Sequence, residues 1–562
     1  MDFNETLKQV GDFGIYQKLL CVFLIFSSAA LSALVYFTQF FIIMVPKHWC
    51  YIEQPFNLNF TEEEWKNFTL PKGSGSKLDY DQCKQYNINI TEIQQNISMG
   101  YPLVLEDLEI VHCQKGWKYD FSSLYPTLAT ELNWVCEDDR LPYLAQTLFY
   151  MGTSVGSIVF GFISDRFGRR PSIIASYVIA FLAGISSSFS TSFGVFAALR
   201  FFVGACIIPL SEDPYILGLE YIGVEKRTLV IVCWTTGYVV FSVIYPWIAY
   251  VVRDWQLLNI ITILPLVLII PLGKWIPESA SWLMTRGRKK EALLMLKTVA
   301  RVNGNQFPDD ILTDLEAEKD GGGADMNEAH LTALDLFRTP HLRRHSLIMA
   351  VVWFITYCCY HTNTQNTSNL GTDIYQSFTY GALVEIPATL LMFFGIDWLG
   401  RRWPMVVATS VAGACGLLIM CVPEGSSQVF LGLALIMRVT LTTEYIIIIQ
   451  YAAEIYPTAL RGRGLAFLRA MGTFGLYLSP TIVYLALENP SLPLLVSGMM
   501  MVVVALLTLF LPETLNQNLP HTLEEGEQFG KDQRVWDCPC LTHKKHKQEY
   551  SHQEVEEPLQ YL

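Results

Sequence analysis

Apolar stretches of about 20 residues recur along the whole chain, and each is long enough to cross a bilayer core about 30 Å thick as a helix. They fall at 19–44, 141–163, 172–193, 195–219, 228–252 and 255–276, then, after a polar interval, at 346–370, 378–396, 404–422, 429–452, 464–487 and 492–511. The pattern predicts an all-α membrane protein with twelve transmembrane helices in two groups of six. Only 16% of the 562 residues are charged, against about 25% in soluble domains. A mean hydropathy of +0.31 over so long a chain excludes disorder, collagen and a small disulfide scaffold. A net charge of −13 leaves no basic field for nucleic acid. Residues 1–18 are polar and acidic and 19–44 is too long for a signal-peptide core, so no cleavable signal is expected.

Lys and Arg in the short loops set the topology. Arg166, Arg169 and Arg170 follow span two, Lys226 and Arg227 follow span four, Arg401 and Arg402 span eight, and Arg461 and Arg463 span ten. The alternate loops are nearly bare, which puts both termini in the cytosol and 45–140 outside. That outer segment carries the sequons Asn59, Asn67, Asn89 and Asn96, acceptors for glycans if lumenal. It also carries Cys50, Cys83, Cys113 and Cys136, for which three disulfide pairings are open. The nine other cysteines lie in spans or the tail and read as small hydrophobes.

The two groups of six are copies of one unit. Gly161-Phe-Ile-Ser-Asp165-Arg-Phe-Gly168-Arg-Arg170 returns as Gly395-Ile-Asp397-Trp-Leu-Gly400-Arg-Arg402. Asp397 follows Asp165 by 232 residues, Glu454 follows Glu220 by 234, and Glu513 follows Glu278 by 235. Tandem six-helix repeats build one superfamily of secondary transporters. The expected units are a cytosolic stretch 1–18, a bundle 19–276, a cytosolic loop 277–345, a bundle 346–511 and a cytosolic tail 512–562. In the repeated turn, Gly161 and Gly168 are expected to let backbones approach. Asp165 is expected at the N-terminus of span three, where the helix dipole favours an anion. The arginines are expected to reach Glu220 or Glu278 and latch the cytosolic side in one of two states. The latch set is Asp165, Arg166, Arg169, Glu220 and Glu278, with Asp397, Arg401, Glu454 and Arg461 in the second copy.

Asp165-Arg-Phe-Gly-Arg-Arg, Pro277-Glu-Ser-x-x-Trp282-Leu, Ala382-Leu-Val-Glu385-Ile-Pro387, Glu454-Ile-Tyr-Pro-Thr458 with Arg461, and Leu511-Pro-Glu-Thr-Leu515 resemble the organic cation/anion/zwitterion transporters of the major facilitator superfamily. The likeness covers roughly residues 11–530 and is nearest to invertebrate organic cation transporter-like members. It implies the major facilitator fold, a large outer loop between helices 1 and 2, a central cavity and rocker-switch alternating access in the plasma membrane. Ser281 departs from it, standing where the family usually has Arg, so one cytosolic ion pair is expected to be missing. By the same likeness Tyr215 and Tyr360 match cavity aromatics, and Ser211 replaces a frequent Trp. Thr473 occupies the position where cation carriers tend to have Asp and anion or carnitine carriers Arg.

A charged group at mid-bilayer costs about 2.5–3.5 kcal/mol even on the gentler scales, so each one needs a reason. The candidates are Glu212, Asp213, Glu385, Arg438, Glu444 and Arg469. Glu212 and Asp213 are about 100° apart on one helix and bracketed by Pro209 and Pro214; one of them is expected to neutralise a substrate cation, the alternative being a structural pair with Arg438 or Arg469. Glu385 reads as a gating or structural carboxylate, and Glu444 either faces substrate or pairs with Arg438. Arg469 lies one turn from Thr473 and is placed to attract a substrate carboxylate. Trp234, Tyr238 and Tyr245 offer rings for cation–π contacts, and Gln146 and His361 offer polar ones. Residues 286–303 read as a basic amphipathic helix on the inner surface. Cys538-Pro-Cys540 beside Lys544-Lys545 is read as unmodified. No P-loop, H-E-x-x-H or G-x-S-x-G element is present, so neither enzyme activity nor a cofactor is expected. The expected guest is a small organic cation or zwitterion, and the lipid bilayer is the other partner; no feature sets the oligomeric state. An organic anion exchanger centred on Arg469 and Arg438, a non-transporting sensor and a sugar carrier are the competing readings.

Overall fold

The computed structural model describes residues 7, 10–11, 13–53, 61–72, 80–88, 109–223, 226–305, 307, 333–370, 373–423, 426–458, 460–515, 517, 520, 522–531 and 533. The side chains of Thr228, Ala333, Leu334, Phe393, Phe394, Asp397 and Trp398 lie outside this description, as do Asn59, Asn89, Asn96, Cys538-Pro-Cys540 and the stretch 320–323, which the sequence suggests as a flexible joint.

A helix occupies each of the predicted positions. In the first half these are α1 (Ile15–Phe41), α2 (Leu141–Phe167), α3 (Arg169–Ser187), α4 (Phe193–Tyr221), α5 (Arg227–Val252) and α6 (Trp255–Leu272). In the second they are α7 (Pro340–Gln365), α8 (Ile374–Leu383 continued by Glu385–Leu399), α9 (Arg402–Leu418), α10 (Ser427–Ile455), α11 (Arg461–Tyr484) and α12 (Leu492–Thr508). Among the described residues nine helices are long and apolar enough to cross a membrane; α7, α8 and α12 fall short by polarity, interruption or length. The interruption in α8 has a local cause. Pro387 has no N–H for the Leu383 carbonyl, and the chain turns at Val384.

Each half buries its own apolar core. One centres on Tyr150, Ile173, Val203 and Leu210, the other on Trp353, Met437, Ile448 and Tyr451. In hydrocarbon, close contact between helices depends on small side chains. A Cβ at Gly152 or Gly156 of α2 would overlap the backbone of α4 at Phe201 and Ala205, and one at Gly416 would overlap Gly498 of α12. Between the halves, α2 runs along α11 and α5 along the first part of α8. Large apolar side chains such as Phe23, Ile158 and Val251 stay exposed on the outer faces, as lipid-facing positions require.

The segment between α1 and α2 adds two small antiparallel ribbons, β1 (His48–Cys50) with β4 (Trp117–Tyr119) and β2 (Lys84–Tyr86) with β3 (Ile110–His112). Cys50 is bonded to Cys113 and Cys83 to Cys136, which selects one of the three open pairings. Asn67 lies exposed on the helix Glu62–Thr69. The amphipathic segment forms helix Lys289–Asn303, but its stripe of Ala292, Leu296, Val299 and Ala300 is buried against protein instead of lying on a lipid surface. Asn303 donates to the Gly11 carbonyl and to Gln17, tying this helix to the start of α1.

Candidate functional site

The repeated turns build two equivalent charge clusters, each inside its own half. Arg169 bonds Glu220 at 3.3 Å and Asp165 at 2.9 Å, and Arg401 bonds Glu454 at 2.9 Å. Asp165 does not sit at the N-terminus of α3 as expected; it is largely exposed. Glu278 takes that place, accepting from the backbone N–H of Arg169 (2.8 Å), Arg170 (3.4 Å) and Ser279 (3.0 Å). Glu513 does the same for α9, accepting from Arg401 (2.9 Å), Arg402 (3.1 Å) and Thr514 (2.9 Å). A carboxylate against unpaired N–H groups at the positive end of a helix is favourable on both counts.

Gly168 (φ +110°) and Gly400 (φ +85°) admit that carboxylate, because a Cβ at either position would strike it. Gly161 is different: a Cβ there meets nothing, so the expected close approach is not made. Arg166 is exposed beside the Phe162 ring, and Arg461 donates to Thr458 at 3.4 Å. The Asp165 carbonyl accepts from Trp282 and Arg286, and no bond is recorded for Ser281.

The halves touch at the end that carries the α1–α2 segment. Phe41 packs on Phe378 (4.9 Å), Tyr250 on Tyr375 (5.2 Å) and Tyr143 on Tyr484 (5.2 Å), while Tyr484 donates to Asp139 at 3.1 Å. Deeper in, Tyr36 of α1 meets His361 of α7 at 2.7 Å and Tyr150 of α2 at 3.3 Å. Gln365 of α7 donates to Tyr150 (3.0 Å) and to Ser479 of α11 (2.8 Å). The Tyr36–His361 and Gln365–Tyr150 bonds join the two bundles.

Beyond that layer the space between the halves holds an ion pair. Arg469 Nη1 of α11 lies 3.0 Å from Glu212 Oε2 of α4, with 57% and 36% of the side chains exposed. Glu212 therefore faces the opposite bundle. Asp213 points the other way, accepting from Ser172 of α3 at 2.5 Å inside the first bundle. Next to Glu212, Tyr215 packs on Trp234 (5.6 Å), whose indole donates to Ser211 at 3.1 Å. Across the space Tyr445 stacks on Tyr360 (5.0 Å) and lies 5.1 Å from Tyr357. Thr473 spends its hydroxyl on the Ala470 carbonyl. An anionic group, a cationic group and aromatic faces around a solvent-reached gap are chemically complementary to an ammonium and to a carboxylate.

Arg438 pairs with Glu385, not with Glu444. The guanidinium also reaches Thr364 and lies 4.6 Å from the Tyr360 ring, and Tyr360 donates to Glu385 at 3.1 Å. This cluster is buried within the second half and internally neutralised. Glu444 is fully buried, its one bond coming from Thr356 at 2.5 Å. Gln146 is buried near Tyr150, and Tyr238 and Tyr245 pack near Phe37 at 6.4 Å and 6.0 Å. Sequence reasoning missed Tyr36, Tyr150, Tyr357 and Tyr445. Their only signal was the run of polar residues around His361, because tyrosines in spans are common.

Comparison with known proteins places this architecture. The family described as sugar (and other) transporter matches residues 140–522. The chain is 32% identical over 546 residues to the β-alanine transporter of Drosophila melanogaster, covering 94% of this chain and 89% of that protein. It is 32% identical to the carcinine transporter of the same organism (96% and 81% covered) and 30% identical to organic cation transporter 1 of Caenorhabditis elegans (94% and 89%). Among solved structures, the partially occluded inward-open xylose transporter XylE of E. coli superposes with a TM-score of 0.55 at 15% identity, over 89% of this chain and 99% of that one, which shows the fold. The chain belongs to the sugar (and other) transporter family of the major facilitator superfamily, among the relatives of solute carrier family 22, and is a membrane transporter, not an enzyme.

Proposed function

We propose that this transporter carries small organic cations or zwitterions bearing an ammonium group across the plasma membrane by alternating access. Glu212 receives the ammonium and Arg469 the carboxylate of a zwitterion. The observation that carries the reading is the Glu212–Arg469 pair, which bridges α4 and α11 in a gap that solvent reaches. A guest with both charges replaces the pair's two halves without leaving either unpaired, and Tyr215, Trp234, Tyr360 and Tyr445 add ring faces for the ammonium. The names of the similar proteins, transporters of β-alanine, carcinine and organic cations, support an amine guest. The anion-exchanger reading has less support, because Arg438 is engaged by Glu385 and the similar proteins whose names state a cargo carry β-alanine, carcinine or organic cations.

In this reading the bundles 19–276 and 346–511 rock about the gap, both termini lie in the cytosol, and 45–140 lies outside, with its sequons glycosylated. The basic loops and the pair of disulfides support that orientation. The charge clusters at Glu278 and Glu513 hold each bundle rigid, so that movement concentrates between the halves. Uptake into proteoliposomes of labelled β-alanine, tetraethylammonium and succinate tests the assignment. The first two should accumulate and the third should not. Glu212→Gln should weaken the apparent affinity for β-alanine by about tenfold or more, the worth of a charge-assisted hydrogen bond, and that for tetraethylammonium, which has no N–H to donate, by the lost charge attraction alone. Import of succinate with exclusion of both amines would overturn the assignment, and binding of an amine without accumulation would mark a sensor.

A further inference from the structure

A cavity of about 660 Å³ opens between α3, the segment after α6 and the helix Lys289–Asn303, at the end of the first bundle opposite the α1–α2 segment. Phe167, Ile174, Val178, Leu283 and Met295 make its wall largely apolar. Arg170, Ile174 and Val178 stand four residues apart, so they share one face of α3. That face carries a guanidinium at its end and apolar side chains over about 12 Å beyond it. Arg288, Glu278 and Glu291 also line the cavity, but their charges are committed. Glu278 accepts from three backbone N–H groups, and Glu291 holds Arg288 through bonds of 2.8 Å and 2.7 Å. Arg170 donates from Nε to the Gly273 carbonyl, just past α6, at 3.1 Å; among the described residues no partner is recorded for its Nη1 and Nη2. The second copy of the repeat differs here. Its Arg402 is 2% exposed and gives Nη1 to the Leu511 carbonyl, so protein encloses the second guanidinium while the first faces open space. Trp275, two residues past Gly273, is 84% exposed. An exposed indole at the end of a transmembrane helix marks the headgroup level of a bilayer. Arg170 is therefore at that level, and Ile174 and Val178 lie at the depth of acyl chains.

We propose that this cavity binds a glycerophospholipid, with the phosphate diester on Arg170 and an acyl chain along Ile174 and Val178. A phosphate diester carries one negative charge and offers two oxygens to the fork of Nη1 and Nη2, a pairing for which guanidinium is well shaped. The apolar wall accepts hydrocarbon, which a free phosphate lacks. The two carboxylates in the wall disfavour a headgroup with several negative charges. A bound lipid links α3 to the helix Lys289–Asn303, which in turn holds the start of α1 through Asn303. The site lies outside the Glu212–Arg469 gap. In the orientation proposed above it faces the cytosolic leaflet, and its test needs neither that orientation nor the identity of the guest.

The full chain in detergent micelles is titrated with palmitoyl-oleoyl phosphatidylglycerol, and retained lipid is counted by native mass spectrometry. Binding should saturate at one tightly held lipid per chain. The diacylglycerol with the same chains lacks the phosphate, and glycerophosphate lacks the chains; each should bind about tenfold more weakly or worse. Arg170→Gln should raise the lipid midpoint by about tenfold, the loss of one charge-assisted pair. Val178→Trp fills the apolar part of the cavity and should raise it as well. Arg301→Gln changes an exposed arginine of the helix Lys289–Asn303 that does not line the cavity, and should leave the midpoint unchanged. If Arg170→Gln does not fold, Val178→Trp and the diacylglycerol comparison carry the test. Equal binding of phospholipid and diacylglycerol, equal binding of phospholipid and glycerophosphate, or a wild-type midpoint in Arg170→Gln would each overturn the proposal. A shift in Arg301→Gln as large as that in Arg170→Gln would mark unspecific attraction and overturn it too.

Discussion

Among the described residues, the arginine–carboxylate pairs Glu385–Arg438 and Glu212–Arg469 should respond to mutation in opposite ways. Glu385 and Arg438 are 9% and 7% exposed at the side chain, and Thr364 and Tyr360 complete the hydrogen bonding around them. Breaking such a pair leaves a buried charge without its counterpart, at a cost of about 3–5 kcal/mol. The two single variants should differ within that range. Arg438→Met leaves a carboxyl that can take up a proton, which places it near the lower end. Glu385→Leu leaves a guanidinium that stays charged, which places it near the upper end. The double variant Glu385→Leu/Arg438→Met removes both charges and should unfold within about 1 kcal/mol of the wild type, since apolar replacements of buried pairs are often neutral or better. Glu212–Arg469 is the control. Its side chains are 36% and 57% exposed, so either single change should cost under about 1 kcal/mol of stability while altering uptake. Urea unfolding of detergent-solubilised protein, followed by intrinsic tryptophan fluorescence, measures all five variants. A wild-type-like Glu385→Leu, or a double variant as unstable as the two singles added, would refute the argument from burial.

Gly168→Ala and Gly400→Ala should each lower stability by roughly 2–4 kcal/mol, combining a left-handed backbone that alanine disfavours with a displaced carboxylate cap. Gly161→Ala, whose Cβ meets open space, should stay within about 0.5 kcal/mol of wild type in the same unfolding assay. Glu527 accepts from the backbone N–H of His341 (2.9 Å) and Leu342 (3.0 Å). Glu527→Ala should therefore cost about 1 kcal/mol and speed limited proteolysis after residue 515. Tyr36→Phe removes the hydroxyl that meets His361 across the bundles and Tyr150 within its own. It should raise the population open at the loop-bearing end by about fivefold, the equivalent of one hydrogen bond, read as longer distances between spin labels at positions 45 and 373. An unchanged distance distribution would show that the hydroxyl does not hold the halves together.

Much of the architecture was legible along the chain, because hydrocarbon imposes length and polarity on every helix that crosses it. The duplication was legible too. Glu278 and Glu513 keep their places after the two sixth spans because each has a helix N-terminus to cap. The pattern nonetheless pointed to the wrong acid. Asp165 is nearer to α3 in sequence, yet Glu278 arrives from 109 residues away to accept the Arg169 N–H. Local spacing cannot reveal a cap delivered by another helix. The partner of Arg438 was missed for the same reason. Glu444 lies on its own helix, but Glu385 comes from α8.

The chain alone shows the recurrence of apolar stretches, their division into two related halves, the loops rich in arginine and the segment between the first two helices with its four cysteines. Periodicity and hydropathy act within one helix and survive any rotation of its neighbours. The direction of each charge is another matter. That Glu212 looks across to Arg469 while Asp213 turns back to Ser172, that the cysteines join as 50 with 113 and 83 with 136, and that Arg438 meets Glu385 of α8 all depend on the rotation and stacking of several helices at once. A helix fixes the angle between its own side chains; only its packing decides what each of them meets.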